Sequence, residues 1–286
     1  NGPVWIDYLA EDLGQNGLNF TTYWGGGDTS EGINFAFGGA TSETYNGVTI
    51  PNEVTGELEP LPEPLFSTGL GSQLGWFQDS IDDGLQLDNE NALFIVYAGD
   101  NDYNLDGQDD PTIPVENVKT ALNFLIDRGA QNFLVPNLAD LGDMPLWSAN
   151  PEKGEEINGL VDQHNTLLET TLNNLSTNND GIDIDFFDFN SVIEGVKGDY
   201  LFTDTACFDG VSTVCDNPED HLYWDVVHIT TPVHETVANA AFETLQAESV
   251  PEPASGLAIL SLGVLGAGSV LKRNRQKISP AEDKVA

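Results

Sequence analysis

The stretch that decides the fold is ALFIVYAGDND, residues 92–102. Its first seven residues are apolar or aromatic without alternation, which is typical of a strand buried on both faces of a parallel sheet. The run then changes abruptly to Gly-Asp-Asn-Asp, a composition that favours a turn. Polar residues in that place lie at the carboxyl end of the strand, where open α/β sheets carry their binding sites.

The segments on either side alternate between the two periodicities of secondary structure. Strands are predicted at INFAF (33–37), NFLVPNL (132–138) and IDIDFFDF (182–189). Helices are predicted at PVWIDYLAEDLG (3–14), GSQLGWFQDSIDDG (71–84, capped by Ser72), VENVKTALNFLIDRGA (115–130, ending near Gly129), 155–175 and TTPVHETVANAAFETLQA (230–247, with Thr230 or Thr231 as N-cap and Pro232 near N1). This alternation predicts an α/β fold with a mostly parallel sheet. Residues 40–70 and 198–223 are rich in Gly, Pro and Asp and are interpreted as long loops that shape a substrate cleft.

Two more polar stretches follow or precede these elements at positions suited to chemistry. NFAFGGATS (34–42) places two glycines directly after a predicted strand, and WDVVH (224–228) places Asp225 and His228 just before the last helix. A His that is oriented by a carboxylate acts as a general base in many hydrolases. Such a base needs a nucleophile to deprotonate.

In order and context, NFAFGGAT (34–41), AGDND (98–102) and WDVVHITT (224–231) resemble the second, third and fifth sequence blocks of the GDSL, or SGNH, hydrolases. That family contains esterases, lipases and acylhydrolases, and the resemblance extends through most of residues 1–247. It implies a flavodoxin-like three-layer α/β/α fold with a mostly parallel sheet. It also implies hydrolysis of a carboxylic ester through an acyl-enzyme, without a metal or an organic cofactor.

The resemblance assigns a role to four residues. Gly39, with its neighbour Gly38 as the alternative, and Asn101 would donate hydrogen bonds to the oxyanion, where one donor contributes about 3 kcal/mol. The Asn101 carboxamide offers two donors and no charge, which suits an oxyanion better than a carboxylate does. His228 would be the general base and then the general acid, while Asp225 would hold and polarise its imidazole.

The nucleophile of the family belongs to its first block, Gly-Asp-Ser-Leu or a close variant, at the end of the first strand. That block lies upstream of a stretch like NGPVW, with which this sequence begins at Asn1. We therefore expect the nucleophilic Ser and its strand to precede the printed residues, and the printed chain to be inactive. Gly27-Asp28-Thr29-Ser30 imitates the block, but no apolar strand leads into it, so Ser30 is not the predicted nucleophile.

The remaining histidines and cysteines are interpreted as structural or are left without a role. His234 lies six residues after His228 and is predicted to be structural, whereas His164 and His221 receive no role. Cys207 and Cys215 bracket the short segment CFDGVSTVC, which predicts a small disulfide-closed loop. Buried free thiols are the alternative.

The C-terminal stretch PEPASGLAILSLGVLGAGSVLKRNRQK (251–277) is predicted to lie outside the hydrolase fold. Its apolar run, 256–271, is sixteen residues long, slightly short for a bilayer, and a basic cluster follows it. With the preceding Val-Pro-Glu-Pro it resembles the PEP-CTERM sorting signal of Gram-negative bacteria and cyanobacteria. The resemblance implies export to the cell envelope, transient membrane anchoring through 256–271 and cleavage by an exosortase; an ordinary single-pass anchor is the alternative. The predicted domains are therefore 1–248, 249–277 and a tail, 278–286.

The charge distribution restricts the partners of the body. The net charge is −38, and five of the nine basic residues lie in the last fifteen positions. Residues 1–255 carry 45 acidic and four basic residues, a balance of −41. Such a surface repels nucleic acid and anionic lipid headgroups, and it mildly disfavours anionic substrates. It is typical of a protein kept soluble in an extracellular setting.

Two functions other than catalysis are compatible with parts of the sequence. DYNLDGQDD (102–110) follows the order of a calcium loop at its positions 1, 3, 5, 6 and 9: Asp102, Asn104, Asp106, Gly107 and Asp110. The twelfth position is Ile113, where a calcium loop has a bidentate Glu. The second alternative is a surface protein that uses the fold for adhesion or matrix assembly. The Asp225–His228 pair argues against that alternative.

Overall fold

The computed structural model describes residues 1–15, 32–52, 55–86 and 91–248. The helices are α1 Trp5–Asp12, α2 Leu70–Asp82, α3 Asp100–Asn104, α4 Thr112–Ile126, α5 Pro151–Asn178, α6 Phe189–Val196 and α7 Thr231–Glu248. The strands are β1 Thr49–Pro51, β2 Leu58–Pro60, β3 Leu93–Ile95, β4 Asn132–Pro136, β5 Asp183–Phe187, β6 Phe202–Ala206 and β7 His221–Tyr223. The predictions for Ser30, for the sorting segment 249–277 and for the tail 278–286 lie outside the described residues.

A parallel sheet of β3, β4 and β5, in that order, carries the middle of the fold. Leu93 of β3 pairs with Asn132 of β4, and Asn132 pairs with Asp183 of β5, so the three strands begin level with one another. Because the strands are parallel, their carboxyl ends share one edge of the sheet. The third block, 98–102, leaves β3 at that edge.

The two faces of this sheet are covered by different sets of helices. On β4, Phe133 and Val135 point into a core built with α2, α4 and α5, whereas Leu134 points into a core built with α1, α6 and α7. These three side chains are almost completely buried. α4 contributes to the first core with apolar residues at helical spacing: Val115, Val118, Ala121, Leu122 and Leu125. The predicted three-layer α/β/α fold is confirmed.

The strand predicted at 33–37 is wrong, because residues 32–37 have no regular secondary structure. Their apolar character serves aromatic packing instead. The ring of Phe35 lies edge-to-face against Phe77, with centroids 5.9 Å apart, and Phe37 lies 5.8 Å from Trp76. Both partners belong to α2, so this segment leans on a helix.

The predicted cap of α2 is also wrong. The helix begins at Leu70 with Gly69 as its N-cap, three residues before the predicted cap. The hydroxyl of Ser72 lies inside the first turn and donates to the carbonyl of Thr44 at 2.7 Å. A side chain predicted to cap the helix therefore ties it to the segment that follows the second block.

α7 begins at Thr231, so Thr230 stands at the N-cap position and Pro232 lies in the first turn, in agreement with the prediction. Thr230 Oγ1 donates to the carbonyl of His221 at 2.9 Å, which joins the helix start to β7. Thr231 Oγ1 accepts from the amide of Gly2 at 2.7 Å and donates to Asn1 Oδ1 at 2.8 Å. The two hydroxyls thus hold the beginning of the chain and the end of the fifth block together.

The length of α5 and the two predicted long loops also differ from the prediction. α5 runs from 151 to 178, several residues longer at each end than predicted, and Asn150 Oδ1 accepts from the amide of Lys153 at its start. The regions interpreted as loops contain two small strand pairs. β1 and β2 pair antiparallel within 40–70, and β6 and β7 pair in parallel within 198–223.

We expect the contact between α5 and the turn at Gly142 to tolerate no added methyl group. A Cβ at Gly154 would lie 2.6 Å from the carbonyl oxygen of Gly142, whereas a Cβ at Gly159, on the exposed face of α5, would meet nothing within 4 Å. Gly154→Ala should lower the free energy of unfolding by about 1–3 kcal/mol. Gly159→Ala should raise it by up to about 1 kcal/mol, because alanine favours the helix.

Urea unfolding of both variants beside the parent protein measures this difference. If both substitutions changed stability in the same direction and to the same extent, the close approach of α5 to Gly142 would not be a packing constraint.

Candidate active site

The turn between β7 and α7 holds Asp225 against His228. Asp225 Oδ1 accepts from the backbone amides of Val227 at 3.0 Å and His228 at 2.8 Å. Its Oδ2 lies 2.8 Å from Nδ1 of the His228 imidazole. A carboxylate can only accept, so Nδ1 carries the hydrogen and Nε2 is left with a lone pair. The His228 side chain is 70% exposed, so this second nitrogen is open to a substrate.

The carboxyl of Asp225 is kept ionised by its neighbours. Burial raises the pKa of Asp225, but hydrogen bonds from the amides of Val227 and His228, together with the imidazole, outweigh burial and lower the pKa overall. A depressed carboxyl pKa means that the charge persists as the pH falls below the ordinary Asp range. The turn therefore supplies His228 with a permanent negative partner at neutral and mildly acidic pH.

Backbone pairing with β6 and with a neighbouring turn fixes the position of this pair. The amide of Phe208 donates to the carbonyl of Trp224 at 2.6 Å, and the amide of Leu146 donates to the carbonyl of Val226 at 2.9 Å. Cys207 forms the predicted disulfide with Cys215, which closes the loop that follows β6. A loop closed in this way has fewer unfolded conformations available.

In the second block the backbone requires glycine at position 39. Gly39 has φ +79°, and a Cβ there would lie 2.5 Å from Asn46 Oδ1, whereas a Cβ at Gly38 would meet nothing within 4 Å. The carbonyl of Gly39 accepts from Gly47 at 2.8 Å. Within the described residues its N–H has no acceptor, so it is free to donate to a ligand.

Two adjacent side chains of the third block form hydrogen bonds with the second block. Asn101 Nδ2 donates to the carbonyl of Ala40 at 2.9 Å, which uses one of its two hydrogens. Asp102, only 3% exposed, accepts from the amide of Ser42 at 2.8 Å and from its hydroxyl at 2.6 Å. Gly39 and Asn101 are therefore held next to each other, as the predicted oxyanion site requires.

A further titratable group of the third block is Asp100. Burial raises the pKa of its carboxyl to about 6, while a hydrogen bond with Tyr97 and the charge of His228 act in the opposite direction. The sequence prediction did not include Asp100, although it stands immediately before Asn101.

His164 packs against the third block, a role that the sequence did not predict. Its imidazole on α5 is fully buried, with Nδ1 3.0 Å from the hydroxyl of Tyr103. A Cβ at Gly99 would lie 2.9 Å from the imidazole Cε1, and Gly99 has φ +128°. Burial lowers the pKa of His164 to about 4, so the ring is neutral at pH 7.

The next residue on α5 fixes the loop that follows β4. Asn165 Oδ1 accepts from the amide of Leu138 at 2.9 Å, and its Nδ2 donates to the carbonyl of the same residue at 2.8 Å. Leu138 itself lies beside Gly99, since a Cβ there would be 3.2 Å from Leu138 Cδ1. One turn of α5 thus positions the exits of two neighbouring strands.

The two other histidines have separate environments. His221 is buried, stacks on Phe202 with centroids 4.5 Å apart, and places Nδ1 3.1 Å from the carbonyl of Thr205. Burial, and to a smaller extent the charge of His228, lowers the pKa of His234 to about 4. The structural role predicted for His234 stays a prediction.

The carboxylates of 102–110, the segment whose order resembles a calcium loop and offers an alternative function, do not converge. Asp102 binds Ser42, Asp106 accepts from the hydroxyl of Tyr45 at 2.8 Å, and Asp110 accepts from Thr112. In the part of the chain that the structure describes, one trio of carboxylates lies close enough together to hold a cation: Asp140, Asp143 and Glu194. The ammonium of Lys197 already donates to two members of that trio, Asp143 and Glu194.

A nucleophile that His228 could deprotonate is not found among the described residues. No Ser or Cys side chain in residues 1–15, 32–52, 55–86 or 91–248 forms a hydrogen bond with its imidazole. Ser42, the serine of the second block, is buried and directed to Asp102. Ser30 lies outside the described residues.

None of the helices described here is both long enough and apolar enough to cross a membrane. The segment predicted to be the transient anchor, 256–271, lies outside the residues to which this finding applies.

Comparison with known proteins gives the same family as the three sequence blocks. A family model described as GDSL-like Lipase/Acylhydrolase matches residues 1–241, and one described as a PEP-CTERM protein-sorting motif matches 249–274. A GDSL esterase/lipase of Arabidopsis thaliana is 26% identical over 291 residues, covering 83% of this chain and 72% of its own. Sinapine esterase of Brassica napus is 25% identical over 293 residues, covering 84% of this chain and 72% of its own.

The buried neutral His164 should make stability depend on pH. Its pKa falls from about 6.5 in the unfolded chain to about 4 in the fold, so the unfolded chain binds a proton first as the pH falls. Stability should therefore fall with pH through this window, by about 2 kcal/mol between pH 7 and pH 5 from this residue. In His164→Asn the loss between the two pH values should be smaller by that amount.

Urea unfolding of both proteins at pH 7 and pH 5 measures the difference, in which carboxylates common to both cancel. An unchanged loss in the variant would show that His164 accepts a proton in the fold as easily as in the unfolded chain.

Proposed function

The chain belongs to the GDSL-like lipase/acylhydrolase family and is a hydrolase of the esterase/lipase type, and we propose that it acts as an exported serine hydrolase of carboxylic esters through an acyl-enzyme. The single observation that carries the proposal is the Asp225–His228 pair, 2.8 Å apart, whose imidazole presents Nε2 to solvent. A serine base needs both features: an oriented ring and an accessible acceptor nitrogen.

In the proposed mechanism His228 Nε2 removes the proton from the serine hydroxyl as that oxygen attacks the ester carbonyl. The same nitrogen then gives the proton to the departing alcohol, and water repeats the sequence to release the acid. Asp225 stays ionised throughout. It stabilises the imidazolium that forms after each proton transfer and holds the tautomer with hydrogen on Nδ1.

The oxyanion that forms during the attack would be bound by two donors from different blocks. The free N–H of Gly39 supplies one, and the remaining hydrogen of the Asn101 carboxamide supplies the other. Because Asn101 is also bonded to Ala40, its donor position is set before the substrate arrives. Such preorganisation is what makes a donor effective in the transition state.

We propose further that the nucleophilic Ser precedes Asn1 and that the printed chain is therefore inactive. The support is the absence, among the described residues, of any serine hydroxyl bonded to His228. The hydrolase domain would comprise 1–248.

The second part of the proposal concerns the C-terminal segment. The sorting motif matched at 249–274 supports export. The finer proposal is that residues 256–271 anchor the protein transiently in the membrane until an exosortase cleaves within 249–277. Residues 278–286 are the tail that follows this segment and would be removed with it.

Fluorophosphonate labelling of the printed chain tests where the nucleophile lies. We expect no adduct by intact mass, because the reagent reacts with an activated serine and His228 has no described serine to activate. Peptide mapping would locate any adduct. Stoichiometric labelling of Ser30, lost in His228→Ala, would place the nucleophile inside the printed chain.

Activity should appear when the strand and Gly-Asp-Ser-Leu block of an Arabidopsis relative are joined ahead of Asn1. In that protein we expect hydrolysis of p-nitrophenyl acetate, a loss in kcat of about 10³- to 10⁴-fold in Asp225→Asn, and of about 10²- to 10³-fold in Asn101→Ala. Asp109→Asn, which changes an exposed carboxylate, serves as the matched control and should leave kcat unchanged. Full activity in Asp225→Asn would contradict the assignment of the pair.

A further inference from the structure

A cavity on the surface of the described fold takes no part in the proposed ester chemistry. It has a volume of about 250 Å³ and lies between the short helical turn Pro145–Trp147, the start of α5 and strand β6. Met144 and Trp147 contribute apolar surface to its wall, and Glu155 and Asp204 contribute carboxylates. Pockets for drug-sized ligands begin at about 300 Å³, so this cavity suits a smaller unit, such as one sugar ring.

Trp147 is fixed in place by its contacts within the fold. Its Nε1 donates to Asn104 Oδ1 at 3.2 Å, and a Cβ at Gly154 would lie 3.4 Å from Trp147 Cβ. Trp147 and Met144 are both half-buried, so each keeps exposed surface. The face of an aromatic ring is apolar and partially negative, which favours packing against the C–H groups of a sugar ring. A side chain that is fixed in advance loses little conformational freedom on binding.

Two carboxylates of the cavity are free to accept hydrogen bonds. Glu155 and Asp204 are exposed, and within the described part of the chain neither side chain forms a hydrogen bond or an ion pair. Asp143, by contrast, already accepts from Lys197 Nζ and, at 2.8 Å, from Asn158 Nδ2. A hydroxyl that donates to a carboxylate forms a short and strong hydrogen bond. The free groups of the cavity therefore suit a ligand that brings several hydroxyl donors.

The arrangement of these groups does not suit a metal ion or an anion. Among the described residues, the set of three carboxylates that lie within 4.8 Å of one another is Asp140, Asp143 and Glu194. Glu155 and Asp204 are outside that set, whereas a calcium ion needs its oxygen ligands gathered around one point. The same carboxylates, and the balance of −41 in the body of the chain, repel negatively charged ligands. These restrictions favour a neutral ligand with hydroxyl groups.

The cavity borders both of the stretches that form the candidate active site. The amide of Leu146, next to Trp147, donates to the carbonyl of Val226 at 2.9 Å, inside the turn that carries the proposed base. Asn104, which accepts from the indole of Trp147, lies three residues after Asn101 in α3. A ligand in the cavity would therefore lie beside the groups proposed to bind the ester.

We propose that this cavity is a binding site for one neutral sugar unit of an oligosaccharide or polysaccharide. The sugar ring packs on Trp147, and its hydroxyls donate to Glu155 and Asp204. Because the site adjoins the turn of Asp225 and His228, the bound sugar would be the alcohol part of the ester, with the acyl group on one of its hydroxyls. That last step rests on the proposed function, whereas the sugar site itself does not.

Titration of the full printed chain with xylohexaose, cellohexaose and mannohexaose, followed by NMR, tests the sugar site without requiring catalysis. We expect at least one of the three to bind with a Kd of a few millimolar, because a ligand with few atoms in contact gains little binding free energy. The indole N–H signal of Trp147, assigned with the help of Trp147→Phe, should shift during that titration.

Glu155→Gln and Asp204→Asn keep the shape of the side chains and remove their charges. Each should weaken binding of the sugar by about threefold to tenfold, because a charge-assisted hydrogen bond becomes a neutral one. The matched control is Glu152→Gln, which changes an exposed carboxylate of the same helix that does not line the cavity and should leave the Kd unchanged. Substitutions at exposed positions seldom alter stability, so the variants can be compared directly.

Absence of binding by all three sugars, or an equal Kd in the parent chain, Glu155→Gln and Asp204→Asn, would overturn the proposal. A Trp147 signal that shifts with calcium chloride and with none of the sugars would overturn it as well, in favour of a cation site. Because these measurements need no nucleophile, they can fail while the labelling and hydrolysis results hold, and the reverse.

The ester step has its own test in the protein with the added Gly-Asp-Ser-Leu block. There Glu155→Gln should raise KM for the acetylated form of the sugar that binds by the same factor as its Kd, and should leave hydrolysis of p-nitrophenyl acetate unchanged. An unchanged KM for the acetylated sugar would contradict its place as the alcohol part of the ester.

Discussion

The candidate site depends first on the hold that Asn101 and Asp102 have on the second block. These two side chains bind Ala40 and Ser42 at the carboxyl end of β3, so the loop with Gly39 is attached to the sheet by side chains. Segment 32–37 before it has no regular structure and leans on α2 through aromatic rings. Hydrogen bonds from Leu70 to Thr41 and from Ser72 to Thr44 join the same loop to α2, so the loop is fixed from two sides.

The position of the third block is itself fixed by α5. A neutral imidazole at His164 fills the space beneath Gly99, and Asn165 binds the backbone of Leu138 with both ends of its amide. A charged side chain in the place of His164 would bear the full cost of burial. The pKa of His164 is low because its imidazole is buried in this packing position. This role is separate from the base chemistry proposed for His228.

The sequence predicted the elements that follow from hydrophobic periodicity and from the chemistry of neighbouring residues. Runs of apolar residues predicted β3 and β4, and the apolar residues of IDIDFFDF predicted β5. The disulfide was predicted from two cysteines eight positions apart. The predictions failed where tertiary contacts decided the outcome. The segment with Phe35 and Phe37 is apolar enough for a strand. In the structure, however, each ring packs against an aromatic ring of α2, Phe35 against Phe77 and Phe37 against Trp76. Ser72 is a residue type that often caps helices, yet its hydroxyl donates to the carbonyl of Thr44 instead.

The same limit explains why Asp100 and His164 escaped prediction although both were visible in the sequence. A mid-helix His is ordinary until the helix is known to cross beneath a glycine, and an Asp in a turn is ordinary until one of its oxygens is found buried. Asp100 also differs from the other carboxyls of the third block in what it lacks. Asp102 has two donors from Ser42, while Asp100 Oδ1 has none in the described protein. Neither property can be read from the residue type alone, because burial of a side chain is decided by what packs against it in the fold.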